Sequence, residues 1–224
     1  AAWASIEDWG KRREAIYNHT YNVLSELKRN NIDVEWVQIG NETTNGMLYD
    51  WGSYSNSSSM QTYAWFSNAG YEAAKSVYPD VKAIVHLDNG WNLWAFQRFF
   101  RDFRKNGGKM DMIGMSYYPY WYNNQKDNAN WPEANKAVEY NIRELSKEFG
   151  VDCIIVEIGY PRDQPAESRK FLEDMFRRAL KWTDGHCAGI FWWEPEAFDY
   201  ANGAMTDDAR PSEALVPFGE YKTY

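Results

Sequence analysis

The chain has 224 residues, enough for one sizeable core and, in expectation, one domain over 1–224. Asp and Glu number 32 against 24 Lys and Arg, a formal net charge of −8, which argues against nucleic acid as a partner because phosphate binding needs clustered cations. No apolar run approaches the ~20 residues of a membrane span, so no membrane partner is expected, and the opening Ala1-Ala2-Trp3-Ala4 lacks the basic start and apolar stretch of a leader peptide.

In chain order, Ser5-Ile6-Glu7-Asp8 predicts a helix start with Ser5 as N-cap. The helix runs to about Asn30, with Ile16, Thr20, Val23, Leu24 and Leu27 on its inner face. A strand, Trp36 to Ile39, ends in Gly40-Asn41-Glu42, and a long polar loop follows. A helix spans about Met60 to Tyr78, with Tyr63, Phe66, Ala69, Ala73 and Val77 as its inner stripe and Pro79 as its stop. Strand Lys82 to His86 runs into Leu87-Asp88-Asn89-Gly90, and a helix from about Leu93 to Lys105 closes at Asn106-Gly107-Gly108. Strand Met112 to Ser116 ends in Tyr117-Tyr118-Pro119-Tyr120-Trp121. A helix near Glu133–Phe149 stops at Gly150, and strand Cys153 to Val156 delivers Glu157. A helix from Gln164 to about Trp182 leads to the last strand, Gly189 to Trp193, which runs into Glu194-Pro195-Glu196.

Five strand-then-helix repeats predict a parallel sheet. The strands are apolar throughout, as when both faces are buried. Polar and aromatic residues gather at the C-terminal end of every strand. A doubly wound sheet concentrates its ligand at one switch point, so the pattern favours a (β/α)8 barrel. Such a barrel has eight units and typically ~250 residues. Five are visible, so three further strands are expected ahead of Ala1. Cys153 and Cys187 each sit by an apolar strand. A disulfide requires the two strands to be neighbours, and two free buried thiols are the simpler expectation.

Two glutamates, each at the C-terminal end of its own apolar strand, are the minimum apparatus for glycoside hydrolysis. The aromatic content, 17% with 12 Trp and 16 Tyr, suits sugar binding as well as core filling. Glu42 and Glu157 are 115 residues apart, so only the fold can bring them together. His86 and Asp88 form a His-x-Asp pair, but two ligands without a third are weak grounds for a metal, and none is expected. Polar contacts to Glu157 or to a sugar suit them better, with a satisfied structural histidine as the plainer reading. Asn18-His19-Thr20 and Asn56-Ser57-Ser58 fit glycosylation sequons, though ordinary polar surface explains both.

Five segments together resemble glycoside hydrolase family 53, the endo-β-1,4-galactanases. They are Trp36 to Leu48 for the acid/base strand, His86-Leu87-Asp88-Asn89-Gly90 for the fifth strand, Ile113 to Pro119 for the sixth, Val156-Glu157 with Tyr160-Pro161 for the nucleophile strand, and Phe191 to Glu196 for the eighth. The resemblance implies a (β/α)8 barrel, with strands 4 to 8 in this chain, and endo-hydrolysis of β-1,4-galactan, the side chain of type I arabinogalactan in pectin. The family's polymeric substrate implies a secreted, periplasmic or cell-surface protein, and a monomer is expected. The loop Pro161-Arg162-Asp163-Gln164-Pro165 is too short for the calcium site of some bacterial members, so no such site is expected.

Glu157 is then expected as nucleophile and Glu42 as acid/base. The charge of Glu157 would raise the pKa of Glu42 until the glycosyl ester forms. Asn41 is expected to donate to the sugar 2-hydroxyl, or else to steady the turn. Tyr117 is expected to bond the nucleophile, with Tyr118 or Trp121 lining the cleft. Trp193 is expected as the platform under the sugar and Trp192 on the opposite side of the strand, although either indole could face the cleft. Glu194 completes the set of substrate-binding candidates. No cofactor is expected, because two carboxyls suffice. Two other functions fit less well: a related barrel glycanase acting on mannan or xylan, and a non-catalytic glycan-binding fragment.

Overall fold

The structure, a computed structural model, describes residues 3, 6–47, 57–197 and 199–221. Ser5 and Asn56 lie outside the described residues. Eleven elements carry the fold: α1 (Trp9–Arg29), β1 (Trp36–Gln38), α2 (Ser57–Val77), β2 (Lys82–Leu87), α3 (Leu93–Lys105), β3 (Met112–Tyr117), α4 (Trp131–Phe149), β4 (Asp152–Ile158), α5 (Pro165–Trp182), β5 (Cys187–Trp192) and α6 (Val216–Glu220). They divide between two compact units, Ala1–Leu87 with Trp94–Gly114, and Asp88–Leu93 with Met115–Tyr224.

In the first unit β1 pairs in parallel with β2, placing Trp36 by Lys82, Val37 by Ala83 and Gln38 by Ile84. The entry to β3 joins β2 through Asp111, whose N–H donates to the Ala83 carbonyl and whose carboxylate accepts from the Ala83 N–H, both at 2.9 Å. Lys75 on α2 pairs with the same carboxylate at 2.8 Å. Helix α1 begins at Asp8, whose carboxylate caps the Lys11 N–H at 2.8 Å. An extended Asp at that point satisfies a helix-end donor, so the helix starts three residues later than a Ser5 cap would set it. Leu24 of α1 packs in a cluster with Ala74, Val77 and Val81, while Val34 and Val37 cover its edge. Val23, predicted inward, is exposed. It borders an open apolar groove of about 510 Å³ lined also by Trp3, Ile16, Val37 and Ile39. The predicted stripe of α2, from Tyr63 to Val77, is buried throughout. Four phenylalanines of α3 (Phe96, Phe99, Phe100 and Phe103) are buried too, with Phe99 and Phe103 placed 5.4 and 5.6 Å from the Tyr63 ring.

In the second unit β4 pairs in parallel with β5, matching Cys153 to Cys187, Ile155 to Ile190 and Ile158 to Trp192, with irregular register between the pairs. The strands are therefore neighbours, and both cysteines are free, Cys153 buried and Cys187 half-buried. Helices α4 and α5 are tied by Arg178, which holds Glu139 at 2.7 Å and Asp174 at 2.6 Å with little exposure on any partner. The C-terminal segment after β5, undivided in the sequence reading, folds back over this layer. Phe218 on α6 meets Phe176 at 5.0 Å and Trp192 at 6.4 Å.

Strands β2, β3 and β4 are almost wholly buried, whereas β1 and β5 are not. The two groups differ because, among the described residues, β1 and β5 stand first and last in the strand order. Removing the ring at Phe103 takes away a fully buried side chain that packs on Tyr63 and Phe99. Phe103→Ala should cost about 3–5 kcal/mol of unfolding free energy, read from the urea midpoint at constant slope.

Candidate active site

In the first unit β1 leads into a tight turn. Gly40 takes φ +84°, and a Cβ there would meet the Thr43 methyl at 2.6 Å. Glu42 itself sits in the left-handed region, φ 43° and ψ 53°. A non-glycine residue in that conformation persists only where its surroundings enforce it. Three contacts do so. The Glu42 N–H donates to His86 Nδ1 at 3.2 Å. The buried Thr43 hydroxyl donates to the His86 carbonyl at 3.0 Å and shares a 2.7 Å hydrogen bond with the Tyr63 hydroxyl. Thr43 has one hydroxyl proton, already given to the carbonyl, so Tyr63 is the donor in that second bond.

His86 is wholly buried at the end of β2, and burial lowers its imidazole to about 4. It is therefore neutral near pH 7. Because Nδ1 accepts, the ring proton is on Nε2. A carboxylate oxygen of Glu42 and a ring nitrogen of His86 lie within 4.8 Å of each other. Asn41 is exposed, and its side-chain oxygen accepts from Gln38 Nε2 at 3.2 Å.

In the second unit Glu157 is 7% exposed near the end of β4. The Tyr118 hydroxyl donates to its Oε2 at 3.2 Å. Burial first, and then the Glu157 charge, push the Tyr118 phenol far above its ordinary value, so it stays a protonated donor at any working pH. The structure differs here from the expectation for Tyr117. That side chain is fully buried and donates to Asn135 Oδ1 on α4 at 2.7 Å. Neighbouring residues on extended backbone point to opposite faces, so when Tyr117 faces α4 it is Tyr118 that reaches the carboxylate.

Asp88 and Asn89 follow β2, with Asn89 in the left-handed region at φ 54°. Trp121 is 45% exposed, stands edge-on to Tyr120 at 4.8 Å, and borders a cavity of about 890 Å³ that Tyr118, Arg162, Asp199 and Tyr200 also line. Trp192 is buried and donates its indole N–H to the Asn202 carbonyl at 2.8 Å. Trp193 is 41% exposed, with its backbone N–H on the Ile158 carbonyl at 3.1 Å, and Glu194 follows with φ 45°. The sequence reading missed the contribution of Arg162, Tyr200 and Asn202. The Arg162 N–H donates to the Ala201 carbonyl and its Nε to the Met205 carbonyl, and Tyr200 lines the same cavity as Tyr118. The only local signal was the aromatic-polar run Asp199-Tyr200-Ala201-Asn202.

Parallel βα repeats that set one glutamate after β1 and another near the end of β4 define a class, the barrel glycoside hydrolases. The family is narrower. Residues 1–167 match the sequence model of glycosyl hydrolase family 53, and the chain belongs to that family. It is 34% identical to a probable arabinogalactan endo-β-1,4-galactanase A of Neosartorya fischeri, covering 85% of this chain and 57% of that protein. It is 27% identical to arabinogalactan endo-β-1,4-galactanase A of Aspergillus niger, over 83% and 56%. The chain thus spans a little more than half the length of the curated relatives it matches. Among solved structures, the family 53 catalytic domain of Ignisphaera aggregans superposes with a TM-score of 0.80 at 22% identity, over 97% of this chain and 67% of that one. A fungal β-1,4-galactanase gives 0.80 at 21%, over 95% and 69%. The fold is that of a (β/α)8 barrel, of which this chain holds five βα units.

The buried neutral His86 makes a thermodynamic prediction. Its folded value lies below the unfolded ~6.5, so as pH falls the unfolded chain takes up the proton first. The stability it contributes is complete above pH 6.5 and is lost between 6.5 and about 4, by up to about 3 kcal/mol. His86→Gln should flatten the pH dependence of the urea midpoint across that window. An unchanged slope in the variant would contradict this assignment.

Proposed function

We propose that this chain carries both catalytic carboxyls of a retaining endo-β-1,4-galactanase. The observation that carries the reading is Glu157 near the end of β4, buried and held by the Tyr118 hydroxyl on Oε2. That bond orients the carboxylate at the strand end. The family membership and the galactanase names of the relatives supply the substrate class.

In the proposed reaction Glu157 attacks the anomeric carbon and forms a glycosyl ester, while Glu42 passes its proton to the departing glycosidic oxygen. Water, giving a proton to Glu42, then attacks the same anomeric carbon and breaks its bond to the Glu157 oxygen, which frees the carboxylate. The left-handed turn at Glu42, fixed from beneath by His86 and Thr43, sets that carboxyl in place without using its side-chain oxygens. Asn41 contacts the sugar 2-hydroxyl, and His86 and Asp88 frame the ring being cleaved. The exposed indoles of Trp121 and Trp193 offer stacking surfaces for further residues of the polymer. The enzyme works outside the cell on the galactan side chains of pectin. Among the described residues, no helix is long and apolar enough to cross a membrane.

The test is release of new reducing ends from linear β-1,4-galactan, with mannan, xylan and cellulose alongside, by this chain and by a complete barrel with the first three βα units restored. Galactan alone should respond. Glu157→Gln should remove essentially all turnover. Glu42→Gln should lower kcat by about 10²–10⁴-fold, and much less on an aryl glycoside whose leaving group needs no proton. Near-normal turnover in Glu157→Gln would sink the nucleophile assignment, and turnover on xylan or mannan would move the substrate to another glycan.

A further inference from the structure

The glycine two residues beyond the buried glutamate has no conformational reason to be there. Gly159 does not adopt a positive φ, so an L-residue fits its backbone. What it lacks is space. A Cβ built on Gly159 would stand 2.7 Å from Tyr118 Cε1, 3.2 Å from Tyr118 Cδ1 and 3.2 Å from Asn202 Cβ. Real Cβ atoms essentially never come within 3.0 Å of another heavy atom. Cε1 is bonded to the ring carbon that bears the hydroxyl, so the missing Cβ is filled by the working end of the tyrosine.

From this geometry we propose that Gly159 is a positioning residue for the nucleophile, acting through Tyr118. The empty side of Gly159 is the slot in which the phenol lies, and the slot sets the reach of its hydroxyl to Glu157. The tolerance is small. The Tyr118–Glu157 bond is already 3.2 Å long. Moving the ring by about 0.7 Å, enough to restore an ordinary contact with a Cβ, changes the length and angle of a bond already near the long end of its range. The Asn202 side of the slot is fixed as well, because the Asn202 carbonyl accepts the Trp192 indole N–H at 2.8 Å. The inference rests on the catalytic role proposed for Glu157.

Two double-mutant cycles test it, both made in the complete barrel. In the first, Gly159→Ala and Tyr118→Phe should each lower kcat on galactan by about 10- to 100-fold, the scale of one hydrogen bond to a charged group, with KM changed less than threefold. Combining them should cost no more than either alone, because both remove the same bond. Additive losses, or a Gly159→Ala enzyme with wild-type kcat, overturn the proposal. In the second, thermal unfolding is followed. Gly159→Ala should lower Tm clearly in the wild-type background, and hardly at all when Tyr118→Ala has emptied the slot. If Gly159→Ala alone does not fold, recovery of folding in the Gly159→Ala/Tyr118→Ala pair reports the same coupling. An equal Tm loss in both backgrounds refutes the slot. A wild-type barrel inert on every glycan would overturn the hydrolase reading and the nucleophile-positioning role with it, while the thermal cycle would still judge the packing.

Discussion

The first unit depends on one hydroxyl. Thr43 is buried between the end of β2 and helix α2, donates to the His86 carbonyl and accepts from Tyr63. A strand that ends in a left-handed glutamate has lost the regular pairing that would hold it, and an isolated turn of that kind costs of order 1–3 kcal/mol. The Thr43 bonds and the Glu42 N–H bond to His86 replace that pairing at the point where it stops. The Tyr63 end is in turn clamped by the phenylalanine face of α3. Packing between two helices is thereby converted into the placement of a single carboxyl.

The second unit solves the same problem differently. Glu157 is still on its strand, so its backbone needs no special turn, and what must be fixed is the rotation of a buried side chain. A tyrosine does this at low entropic expense because only two torsions place its hydroxyl. The tyrosine belongs to a different strand end, and it is kept upright by residues from loops that follow β4 and β5. These loops are stitched to one another by Arg162, through the Ala201 and Met205 carbonyls and the Asp207 carboxylate.

The five strands were legible because each is a short, mostly apolar run bounded by turn residues, and the α2 stripe because 3.6-residue spacing survives without knowing what the helix packs against. Less legible were the features that depend on an unknown neighbour. Asp8 caps α1 through local geometry that composition does not reveal. Val23 belongs to the apolar face of α1, yet whether that face is covered is a tertiary matter. The choice between Tyr117 and Tyr118 is a question of parity. Alternation says the two point opposite ways, but nothing in the residues says which way is inward until Asn135 on α4 is seen to claim the first. The stretch from Tyr200 to Asp207 has no periodicity, and its partners lie on the loop after β4, so no local window contains the signal.

The paired cysteines of β4 and β5 have a chemical consequence. Burial pushes both thiols up to about 12, so near pH 7 only about one in 10⁵ is ionised, and the thiolate is the form that attacks disulfides and alkylating reagents. Two sulfurs on one rung of a sheet are therefore silent toward such reagents while the strands stay closed. Cys153, wholly buried, becomes reactive when β5 peels from β4. Alkylation of Cys153 would then clock the opening of that strand pair, a built-in probe of how often β5 leaves its neighbour.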